Sequence, residues 1–91
     1  MLTMENLEVC FKGAKDNDAN FVAVKIQTEG HPGAEVIINP KENFDVKLEY
    51  YKKAYNDDLI LKAFNGIKII GLTYGDSYED IEDDFENVDF E

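Results

Sequence analysis

Apolar and polar residues alternate in three short segments near the start of the chain, and this alternation is typical of half-buried β-strands. The segments are 7–11, 21–28 and 34–38, and the apolar positions that define the first two are Leu7, Val9, Phe11, Val22, Val24 and Ile26. The connections between them, 13–20 and 29–33, are rich in turn-forming residues such as Gly, Asn, Asp and Pro. Because connections this short favour antiparallel neighbours, the three segments are predicted to form a meander.

The pattern becomes helical after the third segment. Asn39, Pro40 and Glu42 suit the cap, the first helical position and a capping box, so a helix is predicted to begin there. The apolar positions that follow recur at intervals of four, three and four and form one stripe, namely Phe44, Leu48, Tyr51 and Tyr55. Residues 56–58 can start a second helix, which leaves open whether 41–64 forms one bent helix or two.

The sequence I-K-I-I-G-L-T-Y at residues 67–74 is rich in β-branched types and predicts a fourth strand. Its nearly continuous apolarity predicts a central place in the sheet. Gly75 ends the strand, and residues 76–77 can cap a last helix. The predicted fold is α+β, with a mostly antiparallel four-stranded sheet in the order β-β-β-α-β-α and a helix packed on one face. The chain then divides into an α+β body, 1–75, and an acidic C-terminal helix, 76–91.

Charge separates the end of the chain from the rest. The sequence has 20 acidic residues, 9 basic residues (all of them lysines) and a net charge of −11 at pH 7. Residues 76–91 contain nine of the acids and no basic residue, so they supply −9 and leave the body at −2. Nucleic acid phosphates and anionic lipid headgroups repel such a chain, which predicts that it binds neither directly. Its expected partners are basic proteins.

The acidic end is also amphipathic. One side of its predicted helix carries apolar residues at intervals of three, four and three, namely Tyr78, Ile81, Phe85 and Val88. The residues predicted to bind a partner are Glu79, Asp80, Glu82, Asp83, Asp84, Phe85 and Glu86. Three interpretations are open: the stripe packs on the body and the acids are only solvated, the packed helix mimics the charge of a nucleic acid backbone, or the segment folds on its partner.

No catalytic, cofactor or metal site is predicted, so the chain is expected not to be an enzyme. Cys10 and His31 are single residues of their types, and no third group that would orient them as a catalytic pair can be named. Asp16, Asp18 and Asn20 match the first three ligand positions of a calcium loop, but positions six and twelve hold Phe and Gln. The single thiol and an N-terminus without signal-peptide features predict a reduced, cytoplasmic protein.

Two segments of the sequence resemble those of a known group of proteins. They are N-F-D-V-K-L-E-Y-Y-K-K-A-Y-N-D-D-L at 43–59 and G-I-K-I-I-G-L-T-Y-G-D-S-Y-E-D-I-E-D-D at 66–84. With them the chain resembles small acidic accessory proteins of phages and prophages in low-GC Gram-positive bacteria, which include anti-CRISPR and anti-restriction DNA mimics. The resemblance implies a non-enzymatic inhibitor that binds a basic, nucleic-acid-handling defence protein of the host. The alternative is a virion structural or assembly protein that self-associates through the edge of the first predicted strand.

Overall fold

The computed structural model of the protein describes residues 2–86, and the side chains of residues 2–82. Within that part of the chain the helices are α1 (Met4–Asp16), α2 (Phe44–Ala54) and α3 (Tyr78–Glu86). The strands are β1 (Phe21–Thr28), β2 (Glu35–Pro40) and β3 (Ile67–Gly75), and a short 3-10 helix, Lys41–Asn43, leads into α2. The molecule is α+β, but the predicted four-stranded sheet is wrong, because the described residues form three strands.

The sheet is antiparallel throughout and has the strand order β2-β1-β3. β1 is therefore the central strand, and the prediction that the last strand is central is wrong. β3 is apolar because α1 packs on one of its faces and α3 on the other. Apolarity along a strand thus reflects the burial of its two faces and not the number of strands beside it.

The first predicted strand is the middle of α1. The buried residues of this helix recur at intervals of three, four and three, namely Met4, Leu7, Phe11 and Ala14. Leu7 and Phe11 fit either a strand or a helix, and the alternation depends on Val9, which is 61% exposed. A capping box sets the start of the helix: Thr3 Oγ1 accepts a hydrogen bond from the Asn6 amide, and Asn6 Oδ1 accepts one from the Thr3 amide.

The second helix begins later and ends sooner than predicted. Asn39 belongs to β2, so it is not a helix cap, and the 3-10 helix forms the first turn. After α2 the chain does not become helical again before β3. The Asn56 side chain accepts hydrogen bonds from the amides of Asp58 and Ile60, and this local turn competes with a new helical turn. Residues 41–64 therefore contain one α-helix, preceded by a single 3-10 turn.

The main core lies between the first face of the sheet and the layer that α1 and α2 form. Its aromatic centre is Phe11 of α1, whose ring centroid is 5.5 Å from that of Phe44 and 6.3 Å from that of Tyr51. The central strand contributes Val22, Val24 and Ile26. Asn39 is the buried polar residue of this core, and its Nδ2 donates hydrogen bonds to the Val22 carbonyl at 3.1 Å and to Tyr51 Oη at 3.4 Å.

Candidate functional site on the acidic helix

The second face of the sheet carries α3, and several local contacts fix where this helix begins. Ser77 caps it, since Ser77 Oγ accepts a hydrogen bond from the Asp80 amide at 3.1 Å. Gly75 permits the close approach of strand and helix, because a Cβ there would lie 3.2 Å from the Asp80 Cβ. The Asn20 side chain donates a hydrogen bond to the Asp76 carbonyl at 3.1 Å and ties the turn to the start of β1.

Ile81 holds α3 against the sheet. It is 1% exposed and packs on the buried Ala23 of β1, with Phe21 and Ile38 beside it. Tyr78, almost one turn earlier, places its ring centroid 5.0 Å from that of Phe21, yet the residue is 59% exposed. Of the predicted apolar stripe, Ile81 is therefore buried, whereas Tyr78 is largely exposed. The other two members of the stripe lie outside the residues whose side chains are described.

The acids of α3 face solvent as far as they are described. Three predicted partner-binding residues are exposed, namely Glu79, Asp80 and Glu82. The other four belong to α3 by their backbone, and their side chains lie outside the described part: Asp83, Asp84, Phe85 and Glu86. Glu79 and Asp80 occupy the first turn, where the positive end of the helix dipole favours carboxylates. The last turn has no basic residue, so the helix presents charge of one sign only.

The lysines lie mostly on the other side of the sheet. Seven of the nine are on α1, α2, the 3-10 helix or the segment before β3, namely Lys12, Lys15, Lys41, Lys47, Lys52, Lys53 and Lys62. The ion pairs between described side chains are Lys12 with Asp16 at 2.9 Å, Lys15 with Asp45, and Lys41 with Asp18 at 3.8 Å. The side of the molecule that α1 and α2 form therefore carries both positive and negative charges, whereas α3 carries only negative charges.

Cys10 and His31 do not form a nucleophilic pair. Cys10 is half-buried on α1, and burial raises the pKa of its thiol to about 11. The thiol is therefore protonated at neutral pH and is a poor nucleophile. His31 is exposed in the turn between β1 and β2, on a different element.

The three residues that match the start of a calcium loop do not converge. Asp16 is paired with Lys12 at the end of α1, Asp18 is exposed in the following turn, and the Asn20 side chain is directed to a backbone carbonyl. Among residues 2–82, no group of three or more His, Cys, Asp and Glu side chains is placed to hold a metal ion. The acidic helix is the remaining candidate site.

Two shallow grooves flank α1, and the sequence did not indicate them because α1 was predicted as a strand. One, of about 420 Å³, lies between α1 and α2 and is lined by Val9, Lys12 and Leu48 among others. The other, of about 530 Å³, lies between α1 and β3 and includes Cys10 and Leu72. Neither contains a buried polar side chain without a partner, so neither points to a ligand.

No helix within residues 2–86 is both long enough and apolar enough to span a membrane.

Comparisons with known proteins found no relative of the chain. No protein-family model, no curated protein and no solved structure matches the chain.

Proposed function

We propose that the protein is a non-enzymatic inhibitor of the phage accessory type, which binds a basic, nucleic-acid-handling protein in the host cytoplasm through the acidic side of α3. One observation carries the proposal. The exposed Glu79, Asp80 and Glu82 surround Ile81, which is buried against the sheet, so the carboxylates project from a helix that is fastened to the body. Such a helix presents its charge in a fixed arrangement.

The spacing of the carboxylates suits a surface that binds nucleic acid. Side chains three or four residues apart on a helix lie about 6 Å from each other, which is comparable to the phosphate spacing along one strand. Glu79 and Glu82 are three residues apart, and Asp83 and Glu86 continue the series. A basic groove that normally contacts DNA phosphates would meet a similar row of negative charge. Binding would then gain from electrostatic steering and from the release of counterions.

The buried anchor lowers the cost of binding. A free acidic segment has to lose conformational entropy when it binds, whereas a helix that is already packed has lost much of it. Ile81, the cap at Ser77 and the close approach at Gly75 provide this order before any partner arrives. The alternative of a virion protein that self-associates would use a different edge from the one predicted, because residues 7–11 form part of α1 and the edge strands of the sheet are β2 and β3.

The test compares two charge-neutralised variants of the protein against purified DNA-cleaving defence enzymes, both restriction endonucleases and CRISPR nucleases. The first variant carries Glu79→Gln, Asp80→Asn and Glu82→Gln on α3. The matched control carries the same number of changes on exposed acids of α1 and α2, Glu5→Gln, Glu8→Gln and Asp45→Asn. Wild type and control are expected to inhibit DNA cleavage by a member of the panel, and the α3 variant to lose the inhibition. Equal inhibition by both variants, or none by wild type, contradicts the proposal.

A further inference from the structure

The exposed side of α1 carries its charges in a fixed order. Val9 lies four residues after Glu5 and three before Lys12, so these exposed side chains are neighbours on the surface of the helix. Along the helix axis Glu5 is about 6 Å before Val9, and Lys12 is about 4.5 Å after it. The exposed stripe of α1 is therefore negative at its start, apolar at its centre and positive at its end.

Val9 forms a ridge between the two grooves that flank α1. It lines both the groove of about 420 Å³ beside α2 and the groove of about 530 Å³ beside β3. The charged residues of the first groove are two glutamates toward the start of α1 and two lysines toward its end, namely Glu5, Glu8, Lys12 and Lys15. The groove thus has the same order of charge as the ridge. Helices pack by placing ridges in grooves, so this surface has the shape that another helix requires.

The order of charges is complementary to itself when two copies run antiparallel. If two α1 helices pack across a two-fold axis at Val9, Glu5 of each copy lies opposite Lys12 of the other. The two valines, each 61% exposed in the single chain, then meet at the axis and are removed from water. A partner surface of uniform charge would be attracted by one half of the stripe and repelled by the other. The stripe therefore fits a second copy of this chain.

The ion pair within the stripe competes little with this contact. Lys12 Nζ is 2.9 Å from Asp16 Oδ2, and the two side chains are 76% and 62% exposed. Ion pairs between exposed side chains contribute little to stability. Lys12 can therefore turn toward Glu5 of a second copy at small cost. Its ammonium group has three donors, so it can contact both carboxylates.

The net charge of the chain opposes contact between copies least on this side. α1 carries three acids and two lysines, and α2 carries two acids and three lysines, so the two helices together are neutral. α3 packs on the opposite face of the sheet. A dimer formed through α1 keeps the acidic helices of both copies on its outer sides, where their mutual repulsion is weakest.

We propose that the exposed stripe of α1 binds a second copy of the same chain, in a two-fold dimer with antiparallel α1 helices, Val9 at the axis and Glu5 opposite Lys12. The contact surface is small, so the dimer is weak and forms at high protein concentration. This inference does not depend on the proposed function, because α3 stays exposed in both copies.

Sedimentation equilibrium of two charge-reversed variants, separately and mixed, tests the pairing. Each of Glu5→Lys and Lys12→Glu places like charges opposite each other twice in the dimer, and should raise the dissociation constant about tenfold or more. An equal mixture of the two variants restores opposite charges on both sides of the axis. It should therefore dimerise at least as tightly as wild type. Measurements at physiological ionic strength limit the long-range repulsion between copies.

Net charge alone predicts the reverse for one of these variants. Glu5→Lys replaces an acid by a lysine and changes the net charge from −11 to −9, which would strengthen association if only net charge mattered. The matched control is Glu29→Lys, the same change at an exposed residue of the turn between β1 and β2. It should associate no less than wild type. Far-UV circular dichroism checks that every variant keeps its helices.

Three results would overturn the inference. The first is a wild-type chain that stays monomeric at high concentration. The second is Glu5→Lys or Lys12→Glu associating as tightly as wild type, which would place the contact elsewhere on the molecule. The third is a mixture of the two folded variants that associates as weakly as each variant alone, because the two residues would then not face each other.

Discussion

Asn39 shows how one residue can serve the core while it resembles a helix cap in the sequence. It is 2% exposed, and its amide donates hydrogen bonds to the Val22 carbonyl and to Tyr51 Oη. Asn39→Ala should lower the free energy of unfolding by about 1–3 kcal/mol, because buried polar partners lose their donor. Urea denaturation measures the change.

The matched control for this prediction is Asn43→Ala. Asn43 is exposed and makes no capping hydrogen bond through its side chain, so its loss should change the free energy of unfolding by no more than about 0.5 kcal/mol. A second readout is the pKa of Tyr51, which burial raises and the hydrogen bond from Asn39 lowers. Removing Asn39 should raise that pKa further. Equal destabilisation by both variants would contradict the buried role of Asn39.

The half-buried thiol of Cys10 should affect how stability changes in alkali. Burial raises the pKa of Cys10 from 9.0 to about 11 and that of Tyr55 from 10.0 to about 12. Folding therefore favours the protonated forms, whose contribution is complete below the unfolded pKa and is lost as pH rises through the folded pKa. Through these two groups the urea midpoint should fall as pH rises between about pH 9 and pH 12.

A variant isolates the contribution of the thiol. Cys10→Ala should remove the part of the alkaline decline that lies between the two pKa values of the thiol, 9.0 and about 11, and leave the part that comes from tyrosine. If the variant declines over that interval as steeply as wild type, Cys10 is not the group responsible.

At the scale of elements, α1 gives the clearest test of the fold. In a strand, Leu7 and Val9 would share a face, whereas in α1 Leu7 is fully buried and Val9 is exposed. Leu7→Ala should therefore lower the free energy of unfolding by about 2–5 kcal/mol, as core truncations do. The matched change Val9→Ala should stay near about 0.5 kcal/mol. Thermal denaturation of both variants measures this, and equal losses would favour the strand over the helix.

Secondary-structure elements could be predicted where the residue types and the spacing of the apolar positions indicated the same element. The strand signal of 21–28 is confirmed as β1 because alternation and β-branched residues coincide there. The first segment was misassigned because Leu7, Val9 and Phe11 satisfy the strand period, and two of them also satisfy the helical one. The signal that could have decided it is the stripe that extends from Met4 to Ala14, together with the capping residue Thr3.

The candidate site was predictable only in part. The start of α3 follows from local residues, since Ser77, one of the two residues predicted as possible caps, caps the helix and Ile81 is buried. The exposure of Tyr78 depends on the tertiary arrangement, because the ring lies at the end of the sheet over Phe21. Which face of the sheet receives α3 could not be predicted while the order of the strands was wrong.

The molecule as a whole distributes its charges unevenly across the sheet. The side formed by α1 and α2 carries lysines and acids together, whereas α3 and the residues after it carry acids only. A net charge of −11 opposes association between copies and favours association with a basic protein. Both tendencies weaken as salt rises, because the screening length falls to about 8 Å at physiological ionic strength. Salt is therefore the variable that separates an electrostatic partner surface from an acidic end that is only solvated.

The most direct measurement of the central claim is the affinity for the inhibited defence enzyme as a function of salt concentration. Wild type and the control variant with three changes on α1 and α2 should show a steep and similar decline of affinity with salt. The variant neutralised at Glu79, Asp80 and Glu82 should bind more weakly at low salt, with a shallower decline. If this variant binds as tightly as wild type with the same salt dependence, the acidic side of α3 is not the partner surface and the proposed function is wrong.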